Sequence, residues 1–181
     1  MDPNSLFNKD TRIMAFDDAP FSRGQSHTFL IGLVMRKDMY VESILKGRIQ
    51  VDGEDSTDAV MSMIEEKGSG VSVIMTQGIT FGGFNILDVN GIFSKTGIPV
   101  INVVDHEPNT ERIRSALIKH FDDWERRVAL LRGQFSEFNG IFIQALGVEP
   151  AHAYKFVRQV TLSGLMPEPL RLVNLIAGIV G

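Results

Sequence analysis

Two adjacent acids interrupt an apolar run in IMAFDDAPF, residues 13–21, and a proline follows them. Burying an unpaired carboxylate is costly and forces either protonation or a compensating partner. Asp17 and Asp18 therefore ask for something positive, or something that donates hydrogen bonds, at the end of that segment. Further acids stand at Asp52, Glu54, Asp55 and Asp58 in VDGEDSTDAV, at Asp88, and at Glu168. The chain has no cysteine, so oxygen ligands would have to hold any ion, which suits Mg²⁺ or Mn²⁺ rather than zinc. Carboxylates from different elements sharing one or two such ions would activate water and stabilise a phosphoryl leaving group. The competing role is local. Acids in a first helical turn satisfy free N–H groups and complement the macrodipole, which suits Glu54 and Asp58. Asp52 beside Gly53 suits a turn, and Asp88 reads as an exposed helix acid.

The segment TQGITFGGFN, residues 76–85, is the second candidate. Its glycines allow close backbone approach, and a helix start is expected after it. Gly78, Gly82, Gly83 and Phe84 are the expected substrate contacts, for a phosphate or a nucleobase. The segment carries neither a Gly-Lys-Ser/Thr loop nor GxGxxG. Its competing role is a strand-to-helix turn that needs positive φ. His27, His106, His120 and His152 are scattered without metal-type spacing, and no nucleophile elbow occurs.

These groups need a frame. The 181 residues are 44% apolar and 22% charged, which fits one globular domain over 1–181 with a loose arm in the first eleven residues. The net charge of −4 gives no basic footprint, although an acidic nuclease can be neutralised by its own ions. The basic pairs at Arg36–Lys37 and Arg126–Arg127, and Lys46 with Arg48, read as solvated surface. No apolar run is long enough for a membrane helix, and the start lacks a signal core, so a cytoplasmic protein is expected.

Residues 12–18, 27–36 and 39–53 read as strands joined by short polar connectors, hence antiparallel neighbours. Residues 55–68 have helical spacing and stop at Gly68. A strand over 71–78, a helix over 83–97 and a strand over 98–105 make a parallel crossover. Helices are expected over 109–121, 122–133, 149–164 and 167–181, with a strand over 140–147. Phe121 and Trp124 read as core. The expected architecture is α/β, a ribonuclease-H-like mixed sheet of three antiparallel strands followed by parallel ones, flanked by helices.

FDDAPF, VDGEDSTDA, GITFGGFNILD, TGIPVI, IRSAL and PEPLRL, in that order, resemble the motifs of an archaeal family called endonuclease dU, also known as domain of unknown function 99. That family is similar to endonuclease V, a ribonuclease-H-like enzyme that cuts near a deaminated base using Mg²⁺. The resemblance implies that Asp17 matches the first-strand metal aspartate. Asp55 falls where endonuclease V has a metal glutamate, with Asp52 a competing choice, Asp18 a further catalytic acid, and Glu168 either a fourth ligand or, from its place in Pro-Glu-Pro, a helix-capping acid. Thr76, Val148 and Asp105 depart from the pattern, standing in place of an aspartate, a histidine and a lysine.

The resemblance implies a Mg²⁺- or Mn²⁺-dependent endonuclease on uracil- or hypoxanthine-containing DNA, working in repair. Deaminated bases pair poorly, so extruding one costs less. Two other readings stay open. One is a catalytically impaired nucleic-acid-binding relative, and the other a nucleotide- or small-molecule-binding protein. Whether the chain forms a homodimer is also open.

Overall fold

Arg12–Asp18 forms the first strand, β1, and its alternation sends Ile13 and Ala15 to one face and Met14 and Phe16 to the other. The structure, a computed structural model, describes residue 8 and residues 10–181. Most of the expected N-terminal arm lies outside the described residues. β2 (His27–Arg36) and β3 (Val41–Gln50) complete an antiparallel meander with β1. Helix α1 (Ser56–Lys67) returns the chain, with Gly68 as its C-cap, to β4 (Val71–Thr76), which pairs parallel to β1.

The helix expected over 83–97 is shorter than its apolar spacing suggests. Its first half is a two-stranded hairpin, β5 (Thr80–Phe81) and β6 (Asn85–Ile86), and only Val89–Thr96 is helical, as α2. The reason is Asp88. It is the N-cap of α2, its carboxylate accepting the Gly91 N–H at 2.9 Å, so it is not an exposed acid within the helix. β7 (Val100–Val104) then pairs parallel to β4.

Helices α3 (Thr110–His120) and α4 (Trp124–Leu130) follow, α3 capped by Asn109 as its sequence suggests. A short strand absent from the expected elements, β8 (Ser136–Phe138), forms a hairpin with β9 (Ile141–Leu146). β9 runs antiparallel to β7. Helices α5 (Pro150–Gln159) and α6 (Glu168–Val180) end the chain.

The seven-stranded sheet has the order β3-β2-β1-β4-β7-β9-β8. Two cores fill its faces. Phe156, Val157, Leu170 and Val173 of α5 and α6 cover Ile13, Ala15, Val73 and Ile101. Val60, Met63 and Ile92 of α1 and α2 cover Met14, Phe16 and Ile74. The expected ribonuclease-H-like mixed sheet is therefore the fold. Phe121 and Trp124 are half-buried rather than core. Among the described residues no helix is long and apolar enough to cross a membrane.

Candidate active site at the carboxyl ends of the parallel strands

β1, β4 and β7 run parallel, so Asp17, Gln77 and Val104 come to one edge of the sheet. Ligands of open α/β sheets bind outside such carboxyl ends. A cavity of about 350 Å³ opens there, and Asp17, Gln77, Asn102, Gln144 and Asn174 contribute to its wall.

The Asp17 and Asp18 carboxylates take different partners. Neighbours on a strand point to opposite faces. Asp17 faces α6, where Asn174 Nδ2 donates to its Oδ2 at 2.8 Å, and its Oδ1 accepts the Asp18 N–H at 2.9 Å. Asp18 faces the glycine hairpin and accepts the Gly82 N–H at 2.9 Å. Burial pushes the Asp17 carboxyl above the ordinary carboxylate range, and the bonds from Asn174 and the Asp18 amide pull it partly back. Asp18 is also pushed up, chiefly by burial; the Gly82 amide opposes this and the charge of Asp17 adds to it. Of the two, Asp17 lines the cavity.

The other acids hold loops. Asp52, at φ +57°, accepts the Phe84 N–H at 2.9 Å, and its own N–H donates to the Gly82 carbonyl at 2.7 Å. Gly83, at φ +87°, leaves room for that carboxylate, since a Cβ there would collide with Asp52 Oδ1. Asp55 accepts the Gln50 N–H at 3.0 and 3.2 Å and Asn85 Nδ2 at 2.7 Å. The buried Asn85 also accepts the Ser56 N–H at 3.0 Å. Glu168 pairs with Arg171 through two bonds at 2.5 and 2.7 Å, which hold its carboxyl below the usual range. Among the described residues, no three or more His, Asp or Glu side chains gather where they could hold an ion.

The glycine segment is similarly engaged. The Gly78, Gly82 and Phe84 amides donate to Asn102, Asp18 and Asp52. Phe84 meets Phe121 edge to face at 5.5 Å. Thr76 is fully buried with its hydroxyl unpartnered, and it stands in register with Phe16. The cavity beside Asp17 is instead lined by the following residue, Gln77. Val148 packs against the core, and Asp105 bonds His106 at 3.1 Å.

Arg127, expected on the surface, is buried. Its Nε meets both Asp123 oxygens at 2.9 Å, and its Nη1 donates to the Gly53 and Phe84 carbonyls at 2.9 and 2.8 Å. Its guanidinium lies 4.4 Å from the Phe121 ring centroid. One side chain thus ties the acidic loop to the glycine hairpin and α4.

Asn102, Gln144 and Asn174 were not singled out by the sequence. The signal existed for two of them. Each is an amide in an apolar strand, in VINVV and IFIQAL, and the burial argument that isolates Asp17 applies to them as well. Asn174 carries no such signal, because an α6 residue meets β1 only through tertiary packing.

The family model for endonuclease dU matches residues 9–181. A UPF0215 protein of Thermoplasma volcanium is 36% identical over 179 residues, spanning 97% of this chain and 92% of its own length. A crystal structure of a protein of unknown function from Archaeoglobus fulgidus superimposes with a TM-score of 0.85 at 32% identity, covering 92% of this chain and 96% of that one. Endonuclease V from Ciona intestinalis, solved with an inosine-containing DNA, has a TM-score of 0.60 at 14% identity, covering 93% and 84%. The last likeness is one of fold. With its full-length family match and its close structural relative, this chain belongs to the endonuclease dU family.

Proposed function

We propose that the protein is a divalent-metal-dependent endonuclease that cuts DNA beside a deaminated base. The observation that carries this reading is Asp17: a carboxyl whose pKa is raised by burial, without a cationic partner among its hydrogen bonds, lining a cavity at the carboxyl ends of the parallel strands. Its family name and the DNA held by the Ciona relative support the same chemistry.

The donor set fits Mg²⁺ or Mn²⁺ in one manner. Magnesium keeps several waters and is often held by one or two carboxylates plus substrate phosphate. Asp17 would hold it, since each oxygen already accepting one hydrogen bond retains a second lone pair. Bound there, the ion supplies Lewis acidity toward a phosphate oxygen and a water of lowered pKa. Asn174 orients the Asp17 carboxylate. Asp18, Asp52 and Asp55 shape the site indirectly, by fixing the hairpin and the loop that flank it. The cavity receives the extruded base.

The test is incubation of the protein with uracil- and hypoxanthine-containing oligonucleotides, with Mg²⁺ or Mn²⁺ and with chelator. Cutting beside the lesion that chelator abolishes is the expected result. Intact DNA under every condition refutes it. A second reading, binding without cutting, is favoured by the lack of a three-ligand group among the described residues. It predicts lesion binding with no metal-dependent product.

A further inference from the structure

Among the described residues that line the cavity, Asp17 and His106 are the two with a titratable side chain. They come from different strands. β1 and β7 flank β4 in the sheet, so the two groups stand on either side of its carboxyl end, roughly 10 Å apart across the sheet. Asp17 would hold the ion, and that role leaves His106 unused.

The chain fixes where His106 stands. Val104 ends β7, and Asn109 caps α3, its side chain accepting the Arg112 N–H at 2.8 Å. The short loop between them is tied at both ends. Val104, His106 and Pro108 line the cavity, and Asp105 and Glu107 between them do not. His106 is therefore on the cavity side of the loop, with Asp105 away from it. The Asp105 carboxylate meets His106 Nδ1 at 3.1 Å. A carboxylate only accepts, so Nδ1 donates there. Nε2 has no partner among the described residues, and the side chain is 75% exposed.

Cutting a phosphodiester expels an alkoxide, a poor leaving group unless it gains a proton as the bond breaks. Imidazole is the side chain most often used for such transfers, and a positioned donor contributes about 10²–10⁴-fold. A carboxylate on Nδ1 sets the tautomer and leaves Nε2 for the reacting group.

We propose that His106 donates the proton to the leaving oxygen, with Asp105 as its positioning residue. This rests on the reading of the cavity as an endonuclease site. The P–O bond on the leaving side breaks, and its electron pair goes to that oxygen, which takes the Nε2 proton. The oxygen of a water forms the new bond to phosphorus, and the proton that water sheds passes to solvent. The exposed ring then takes a proton back from solvent. One phosphodiester and one water become one hydroxyl and one phosphomonoester.

The test replaces the leaving oxygen by sulfur. A thiolate departs without a proton, so a proton donor is needed for the oxygen bond and dispensable for the sulfur bond. Oligonucleotides with a central uracil or hypoxanthine, whichever is cut, carry oxygen or bridging sulfur at the bond that the unaltered protein breaks, and Mn²⁺ is supplied. The expected result is a fall of about 10²-fold or more on the oxygen substrate for His106→Ala and His106→Gln, with the sulfur substrate cut at nearly the unaltered rate. Asp105→Asn shows a smaller fall on oxygen and none on sulfur. Fluorescence anisotropy without any divalent ion shows each variant binding the oxygen-linked oligonucleotide as the unaltered protein does. Circular dichroism confirms that each is folded.

If the His106 variants slow both substrates alike, or slow neither, the proposal is overturned and the nuclease reading stands. A loss of metal-free binding as large as the loss of cutting does the same. If the unaltered protein cuts no uracil- or hypoxanthine-containing oligonucleotide, the nuclease reading falls and the proposal falls with it.

Discussion

Arg127→Ala tests how the acidic loop and the glycine hairpin are held. Arg127 is 7% exposed, and its guanidinium makes bonds to the Asp123 carboxylate and to the Gly53 and Phe84 carbonyls, besides stacking on Phe121. Truncation strands two carbonyls and the Asp123 carboxylate, and removes the 3.6 Å pair with Glu54, which keeps its partner Arg126. An unsatisfied buried acceptor costs about 1–3 kcal/mol, and removing one partner of a buried ion pair costs about 3–5 kcal/mol. Asp123 is partly exposed and regains water, so the expected loss is about 3–4 kcal/mol. A protein of this size loses about 2–4 °C per kcal/mol, so the melting temperature should fall by about 6–16 °C. Arg127→Lys keeps the charge but lacks the planar fork that meets the carbonyls and the carboxylate together, so it should fall between the two. Thermal melts followed by circular dichroism read both. A loss below about 1 kcal/mol in Arg127→Ala refutes the staple, because carbonyls freed by it would then have had water within reach all along.

Three further outcomes follow from the same geometry. Gly83→Ala should destabilise by about 1–3 kcal/mol in urea unfolding, since it forces φ +87° on a residue with a Cβ and drives that carbon into Asp52. Asp55→Asn should lower stability by about 1–2 kcal/mol, because its amide nitrogen must stand against either the Gln50 N–H or Asn85 Nδ2, while metal-dependent cutting persists; a melting curve and a cleavage assay on the same preparation separate the two effects. Arg171 depresses the Glu168 carboxyl, so the native state binds that proton more weakly than the unfolded chain. The stability this confers is complete above the ordinary glutamate value of 4.5 and is lost as pH falls through the native value. Urea midpoints of Glu168→Gln should therefore change less than those of the unaltered protein below pH 4.5, and a parallel pair of curves would contradict the assignment.

The frame of the molecule was legible because it follows from local rules. Apolar strands joined by short polar connectors paired antiparallel, and β4, α2 and β7 made the expected crossover. Asn109 capped its helix through its side chain. The misreading at residues 83–88 has a physical cause. Phe84 and Leu87 share the spacing of a helix, but the tertiary bonds of Asp52 and Asp55 to Phe84 and Asn85 hold the hairpin, and Asp88 starts the helix later.

The site was legible in part. Burial cost pointed to Asp17, which lines the cavity. The same argument could not separate Asp17 from Asp18, because what divides them is which face carries α6 and which the hairpin. VDGEDSTD has the composition of a metal loop, yet Asp52 and Asp55 accept backbone and side-chain N–H groups of the loop and hairpin beside it. Arg127 looked like surface because its neighbour Arg126 is surface. The carbonyls that draw it inward lie 43 and 74 residues away in the chain.

The most direct test of the account compares the rate of Mn²⁺-dependent cutting of a uracil-containing oligonucleotide by the unaltered protein and by folded Asp17→Asn. Loss of cutting in Asp17→Asn, with metal-free binding of the oligonucleotide retained, is the predicted result. Cutting at an undiminished rate without the Asp17 carboxylate would contradict the account.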